Sequence, residues 1–421
     1  MNPLAKMADT CRQILTEQTI SAGGPGTILR DVETLIDFIG ERGLTSKART
    51  GNLSAEELPE LNARLAGPIT LGLKRPLLRD YPNIAGPFVL LRVMDLVRAD
   101  GKRVWIDADA LRTWRGLNPV ESYFALLEAW LFRADAGVLG GEDRRNRDQF
   151  TANLDFLAML ATTRWKRFED YCHSINCTGA VSTWNTQLQM RFGLVEVRVR
   201  ALAESNGKPR QPGRGWTMEQ ARRTRWGQAV VWALHLSVAT EDDEEMWLSP
   251  PADDADFGFL QPTFQPFFPA WEKCFATASV GARAGVYIFR VRLDKRRAEG
   301  AVWRRLAVPH RVSLDALADA VLQAFEFSDT EHAYEFRYRD ERGNGRVYFH
   351  PEIEEGPYTD EITVGELGLL EKGVMKFKFD YGANWRFEVE LERIDPPGQA
   401  KTRITLLETM GEGPAQYEEW S

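Results

Sequence analysis

The stretch Phe377-Lys378-Phe379-Asp380-Tyr381-Gly382-Ala383-Asn384-Trp385-Arg386-Phe387-Glu388-Val389-Glu390-Leu391-Glu392 alternates apolar and polar residues on both sides of a glycine-containing turn. A period of two on each arm of a short connection predicts an antiparallel hairpin with one buried face. Upstream, Val286-Tyr287-Ile288-Phe289-Arg290-Val291-Arg292-Leu293 and Trp303-Arg304-Arg305-Leu306-Ala307-Val308-Pro309 read as two further strands, and residues 334–338 and 346–349 as shorter ones. Ser313 stands where a helix cap is needed, ahead of Leu314, Leu317, Ala318, Val321, Leu322 and Phe325, which are spaced by three and four. Residues 281–421 therefore predict an α+β domain, a mainly antiparallel sheet packed on one long helix.

Ahead of it the pattern is mostly helical. Residues 1–65 form a helical leader whose clearest segment is 28–39, ended near Gly40 and Gly43. Within a helical region over 66–240, residues 82–132 predict helix, hairpin, helix. Asp100-Gly101 separates two short apolar runs, and Asn118-Pro119 with Glu121 opens the second helix. That outline is winged-helix-like. Residues 241–280 read as a linker, acidic in Glu241-Asp242-Asp243-Glu244-Glu245 and then rich in proline and aromatics, the aromatic part lying extended against a domain. Gly23-Gly24-Pro25-Gly26 and Ser46-Lys47 read as turns.

The net charge of −8 is divided unevenly: residues 1–240 hold 32 Lys and Arg against 26 Asp and Glu, and residues 241–421 hold 21 against 35. Any contact with DNA or RNA is expected in the basic front part. The candidates are Arg98, Lys102 and Arg103 at the hairpin, Arg144, Arg145 and Arg147, and Arg222, Arg223 and Arg225. Arg164-Trp165-Lys166-Arg167 adds a cluster in which basic residues flank an indole, a composition that suits phosphates and stacked bases. The competing structural reading has the arginine stems covering apolar surface.

No apolar run approaches the ~20 residues of a membrane helix, and Met1-Asn2-Pro3-Leu4-Ala5-Lys6 has no signal-peptide pattern, so a cytoplasmic protein is expected. Cys172, His173 and Cys177 lack a second pair to complete a zinc site, and no metal or cofactor is expected. Nucleophile elbow, Walker loop, H-E-x-x-H and C-x-x-C templates are all absent.

Several motifs of the last third resemble the plasmid pRiA4b ORF-3-like family, whose members travel with insertion sequences. They are Trp303-Arg304-Arg305 with Pro309, Ser313-Leu314, Glu331-His332-Ala333-Tyr334-Glu335-Phe336, Phe379-Asp380-Tyr381-Gly382 with Trp385, and Gly411-Glu412-Gly413-Pro414-Ala415-Gln416-Tyr417. The resemblance is strongest from about residue 260 to the end. Ala383 departs from the aspartate usual after the hairpin glycine, and Glu331-His332 from the usual Asp-His pair. The family carries no settled activity to transfer.

His332, Glu335, His350 and Asp380 form the best polar cluster for acid-base work or metal binding, and all four are expected on strands. Of Trp303, Tyr334, Phe336, Phe377, Phe379 and Trp385, four or five are expected in the core. The expectation is a non-enzymatic nucleic-acid-binding or regulatory protein associated with mobile elements. One alternative is a protein-protein adaptor in a mobile-element or defence system, with a protein partner taken through the C-terminal domain. The other is a hydrolase-like enzyme using the His332/Asp380 region.

Overall fold

Apolar residues recurring at three and four build the helices of the front part. The computed structural model describes residues 3–40, 43–46, 53–71, 76–99, 103–134, 149–167, 183–201, 216–238, 257–276, 283–294, 302–341, 345–353, 356–396 and 403–417. The chain divides into two compact units, one within residues 1–278 and one over Ser279–Ser421.

The first unit opens with α1 (Pro3–Glu17) and α2 (Ile28–Ile39). α2 buries Ile28, Leu29, Val32, Leu35, Ile36 and Ile39 and stops at Gly40, whose φ of 56° suits a residue without a side chain. There follow β1 (Leu44–Thr45), α3 (Leu58–Arg64), α4 (Pro82–Val93), β2 (Val97–Ala99) and β3 (Arg103–Ile106), with a three-stranded sheet in the order β1-β3-β2. The hairpin read around Asp100-Gly101 is thus present, its turn outside the described residues, and a third strand from far upstream completes its sheet.

Between hairpin and second helix the structure inserts a helix that apolar periodicity did not signal, α5 (Ala108–Arg115). Asp107 caps it, accepting from the N–H groups of Asp109 and Ala110. α6 (Pro119–Glu128) begins as expected with a capping box of Asn118 and Glu121.

Among the described residues a second set of elements follows the order of the first apart from α3. α7 (Gln149–Met159) and β4 (Lys166–Arg167) precede the helix Thr183–Arg191, β5 (Val195–Ala201) and β6 (Trp216–Arg223), and the sheet order is β4-β6-β5. The helix Arg225–Val238 then packs on α1 and α7.

Residues 257–276 belong to the first unit and are not simply extended, since Gln261–Phe264 forms a helical turn. Phe124 of α6 stacks on Trp271 at 4.4 Å and lies 4.8 Å from Phe264. Two α6 carboxylates hold the segment by its backbone. Glu121 Oε1 accepts from the N–H groups of Glu272 and Lys273, and Glu128 from those of Gly258 and Leu260. Burial raises the Glu128 carboxyl above its ordinary pKa although these bonds and Arg133 oppose the shift. The acidic part of the expected linker lies outside the described residues.

Asp31 of α2 and Arg191, the last residue of the helix Thr183–Arg191, join the two sets of elements. Their side chains are 0% and 5% exposed, with Nε 3.2 Å from Oδ2. Asp31 also accepts from the Ala66 N–H at 2.8 Å and the Thr27 hydroxyl at 2.7 Å. Burial pulls the arginine below its ordinary pKa while Asp31 opposes it. Beside this pair Thr27 N–H donates to the Arg191 carbonyl, and Gly26, at φ 71°, sits so close that a Cβ would fall 1.9 Å from that oxygen. The Gly23–Gly26 turn is therefore also a contact point.

The C-terminal unit is the expected α+β structure. Its seven strands are β7 (Val286–Leu293), β8 (Trp303–Pro309), β9 (Tyr334–Arg339), β10 (Gly345–Phe349), β11 (Val374–Phe379), β12 (Trp385–Asp395) and β13 (Thr405–Met410). They form one antiparallel sheet in the order β10-β9-β11-β12-β7-β8-β13. The helix Leu314–Ala324, capped by Ser313, contributes Leu314, Leu317, Ala318, Val321 and Leu322 to its core.

Alternation decides which side chains reach that core. Phe336, Phe377 and Phe387 stack across three strands, with ring centroids 4.4 and 5.5 Å apart. The intervening positions carry cross-strand ion pairs: Arg290 with Glu392, Arg292 with Glu390, Lys376 with Glu388, and Arg305 with Glu392 and Glu408. Of the six singled-out aromatics, five are buried and Trp303 is half-exposed, 4.9 Å from the Arg290 guanidinium and 5.4 Å from that of Arg305.

The buried pair predicts the largest single-residue sensitivity of the first unit. Asp31→Ala leaves a buried guanidinium uncompensated and is expected to cost about 3–5 kcal/mol, read from urea unfolding of the full chain. A loss below about 1 kcal/mol would show the pair to be dispensable.

Candidate functional site

The four polar candidates of the C-terminal unit divide among three settings, with His332 and Asp380 sharing one. Glu335 alone lies within a strand; His332 precedes β9, His350 follows β10 and Asp380 follows β11. The expectation that all four stand on strands is corrected by this. Strand ends, where φ and ψ leave the extended region, are where short polar side chains find backbone partners.

Asp380 shows this most fully. Its φ of 53° turns the chain, and its Oδ1 accepts from the N–H groups of Gly382 and Ala383 at 2.9 and 3.0 Å, an Asx-type turn closed by Asn384 at φ 57°. The left-handed positions are thus Asp380 and Asn384, not the glycine between them. The contact to residue 383 is made by its backbone N–H.

Asp380 Oδ2 accepts from the Tyr417 hydroxyl at 2.9 Å and lies 4.0 Å from His332 Nε2, which is nearer Asp329 Oδ2 at 3.1 Å. Gln416 accepts from the N–H groups of Ser328 and Asp329 and donates to the Asp329 carbonyl. The His332/Asp380 region is therefore a latch for the segment ending at Tyr417. Burial alone would raise the Asp380 carboxyl, but the Ala383 N–H, the Tyr417 hydroxyl, His332 and the Gly382 N–H together hold it below the ordinary value.

Glu335 and His350 belong elsewhere. Glu335 binds Arg337 with both oxygens, at 2.7 and 2.9 Å, and accepts from the Tyr381 hydroxyl at 3.0 Å. His350 packs edge-on against the Tyr334 ring at 4.7 Å, and its Nδ1 accepts from the Glu352 N–H at 3.3 Å. Each group is engaged in local structure, and of the four the structure brings His332 and Asp380 near one another. Among the described residues no group of three or more His, Cys, Asp or Glu has metal-binding geometry. Cys172, His173 and Cys177 lie outside the described residues.

The basic candidates of the first unit also part company. Arg98 pairs with Asp107 at 3.0 Å and ties the hairpin to the start of α5. Arg103 is exposed, 5.5 Å from the Trp105 ring. Arg223 is turned inward, where Nη1 donates to the Leu157 carbonyl at 3.0 Å near the end of α7, and burial lowers its pKa. It serves as a helix cap rather than a phosphate ligand. Arg225 is exposed at the start of its helix, and Lys102, Arg144, Arg145 and Arg147 lie outside the described residues.

Arg222 stands in a group the charge clusters only half revealed. On the β4-β6-β5 sheet the register pairs Arg167 with Gln220, Arg198 with Gln220 and Glu196 with Arg222, while Val197 pairs with Ala221, which is fully buried. The outward face therefore carries Arg167, Arg198, Gln220, Arg222 and Glu196. Trp165, just before β4, has the Arg198 guanidinium 4.0 Å and that of Arg222 4.7 Å from its ring centroid. Arg222 is also paired with Glu196 at 2.6 Å. Three arginines share this face with one glutamate, and two of them lie over a half-exposed indole. Runs of basic residues do not reveal Arg198, although the alternation Val195-Glu196-Val197-Arg198 puts 196 and 198 on one face.

Residues 285–417 match the family model described as plasmid pRiA4b ORF-3-like protein. The C-terminal unit is a plasmid pRiA4b ORF-3-like domain. The Gln416/Tyr417 latch and the Asp380 turn thus both lie inside the pRiA4b ORF-3-like segment. No curated protein matches the chain. Among solved structures, a protein of unknown function, MM3350 from Methanosarcina mazei Go1, is similar at 20% identity, covering 32% of this chain and 74% of that one, with a TM-score of 0.28.

The latch predicts acid sensitivity of a stated sign. Because the folded Asp380 pKa lies below the ordinary 3.8, its contribution is complete above that value and is lost as pH falls through the lower folded one. Tyr417→Phe removes the hydroxyl donor, so the Asp380 carboxyl should titrate at higher pH by carboxyl-carbon NMR in the full chain. An unchanged titration would show that the tyrosine does not hold it.

Proposed function

We propose that the chain is a non-enzymatic nucleic-acid-binding protein whose contact surface is the outward face of the β4-β6-β5 sheet. The observation that carries this reading is the convergence of Arg198 and Arg222 on Trp165, on a sheet face that also carries Arg167. Guanidinium groups neutralise phosphates and release their counterions, and an indole offers a stacking surface. The order helix, strand, helix, helix, strand, strand in α2 to β3, with the last strand central in its sheet, supports a winged-helix-like reading that begins upstream of residue 82. The mobile-element setting implied by the family resemblance gives a nucleic-acid partner a context.

An enzymatic reading has less to stand on, because His332 and Asp380 are engaged in the latch and Glu335 and His350 in local contacts elsewhere. Replacing His350 by alanine is therefore expected to leave binding unchanged.

The test is fluorescence anisotropy of the full chain with a labelled duplex and a labelled single strand over a salt series. Arg198→Ala/Arg222→Ala should weaken binding and reduce the slope of log K against log salt by about 2, close to 0.9 for each duplex phosphate that is no longer neutralised. No binding of either probe at low salt, or an unaltered slope in the double variant, would end the proposal.

A further inference from the structure

The two three-stranded sheets of the first unit correspond in order and in register. Leu44 pairs with Val104 and Thr45 with Arg103 in one; Lys166 pairs with Ala221 and Arg167 with Gln220 in the other. In each, a central-strand residue that is 0% exposed, Val104 or Ala221, marks the inward side. On the outward side Trp105 of the first takes the place of Arg222 in the second. In both sheets that side carries an arginine over an indole, Arg103 on Trp105 and Arg198 and Arg222 on Trp165. Each sheet's hairpin is preceded by a helix, α4 in the first and Thr183–Arg191 in the second.

In a helix-turn-helix or winged-helix protein the corresponding helix enters the major groove and reads base edges. Here the two helices pack on each other. Gly86 of α4 leaves room for Leu188, whose Cγ would lie 2.9 Å from a Cβ at that position. All 12 residues of α4 are buried. On the facing helix Asn185, Thr186, Gln187, Leu188, Gln189 and Arg191 are buried as well. Arg191 is held there by Asp31. Exposing either helix to a groove would open the core between the two copies.

We infer that the first unit is an internal duplication whose two reading helices have become each other's core, so that the chain grips the sugar-phosphate backbone through a sheet face and does not select base sequence. The inference rests on the nucleic-acid reading above and names its mode. With the helices withdrawn, what faces outward is guanidinium and indole, groups that meet phosphates and base planes alike in every sequence.

The experiment is selection of a randomised duplex library on the full chain, followed by anisotropy on enriched and scrambled sequences at one salt concentration. Enriched and scrambled duplexes should bind within about threefold of each other, far short of the 10³-fold or more by which specific sites exceed non-specific ones. Arg198→Ala/Arg222→Ala should lower both affinities by the same factor. An enriched sequence bound about 10³-fold tighter than its scramble would overturn backbone-only contact while leaving nucleic-acid binding in place. Failure of the library to bind at all at low salt would overturn both readings together.

Discussion

The buried pair of Asp31 and Arg191 constrains everything the first unit can do. A carboxylate and a guanidinium taken wholly out of water are tolerated only when each completes the other, and Asp31 is further satisfied by Ala66 N–H and the Thr27 hydroxyl. Because one partner sits at the start of the first set of elements and the other at the end of the second set's inner helix, the pair fixes how the two sets meet. The close approach of Gly26 to the Arg191 carbonyl repeats that constraint in the backbone. Once the sets are locked this way, α4 and its counterpart are core, and the sheet faces are what remains for a ligand.

The C-terminal unit is organised by a different division of labour. One set of alternating positions is filled with stacked phenylalanines, and the other with ion pairs between neighbouring strands. The buried, stacked aromatic rings supply the apolar burial on which the unit's stability rests, and the part-buried ion pairs link neighbouring strands. The polar groups at strand ends close turns and fasten the segment ending at Tyr417. A group already bonded to its own backbone has little left to offer a substrate, and that is the physical reason the His332/Asp380 region reads as a latch.

Much of this was legible in the chain itself, wherever one face of an element is buried. The hairpin over 377–392, the Ser313 cap, the capping box at Asn118 and the strands over 286–293 and 303–309 follow from alternation and cap chemistry. The α5 helix did not, because its apolar face holds little beyond Ala110 and Trp114. Residues 257–276 look like a linker by their prolines, yet their rings complete the core around Phe124. The duplication left no sequence period because the spacing between equivalent elements differs from pair to pair. Among the site residues, Arg222 was visible as part of a basic run, but Arg223 beside it faces inward. Arg198 is recognisable only once strand alternation is combined with the register.

The claim that the β4-β6-β5 face meets the nucleic acid is tested most directly by photocrosslinking a 4-thiothymidine-substituted strand to the full chain and mapping the joined peptides by mass spectrometry. The account predicts crosslinks in the peptides holding Trp165, Arg198 and Arg222 and none in residues 285–417. Crosslinks confined to the C-terminal unit would contradict it.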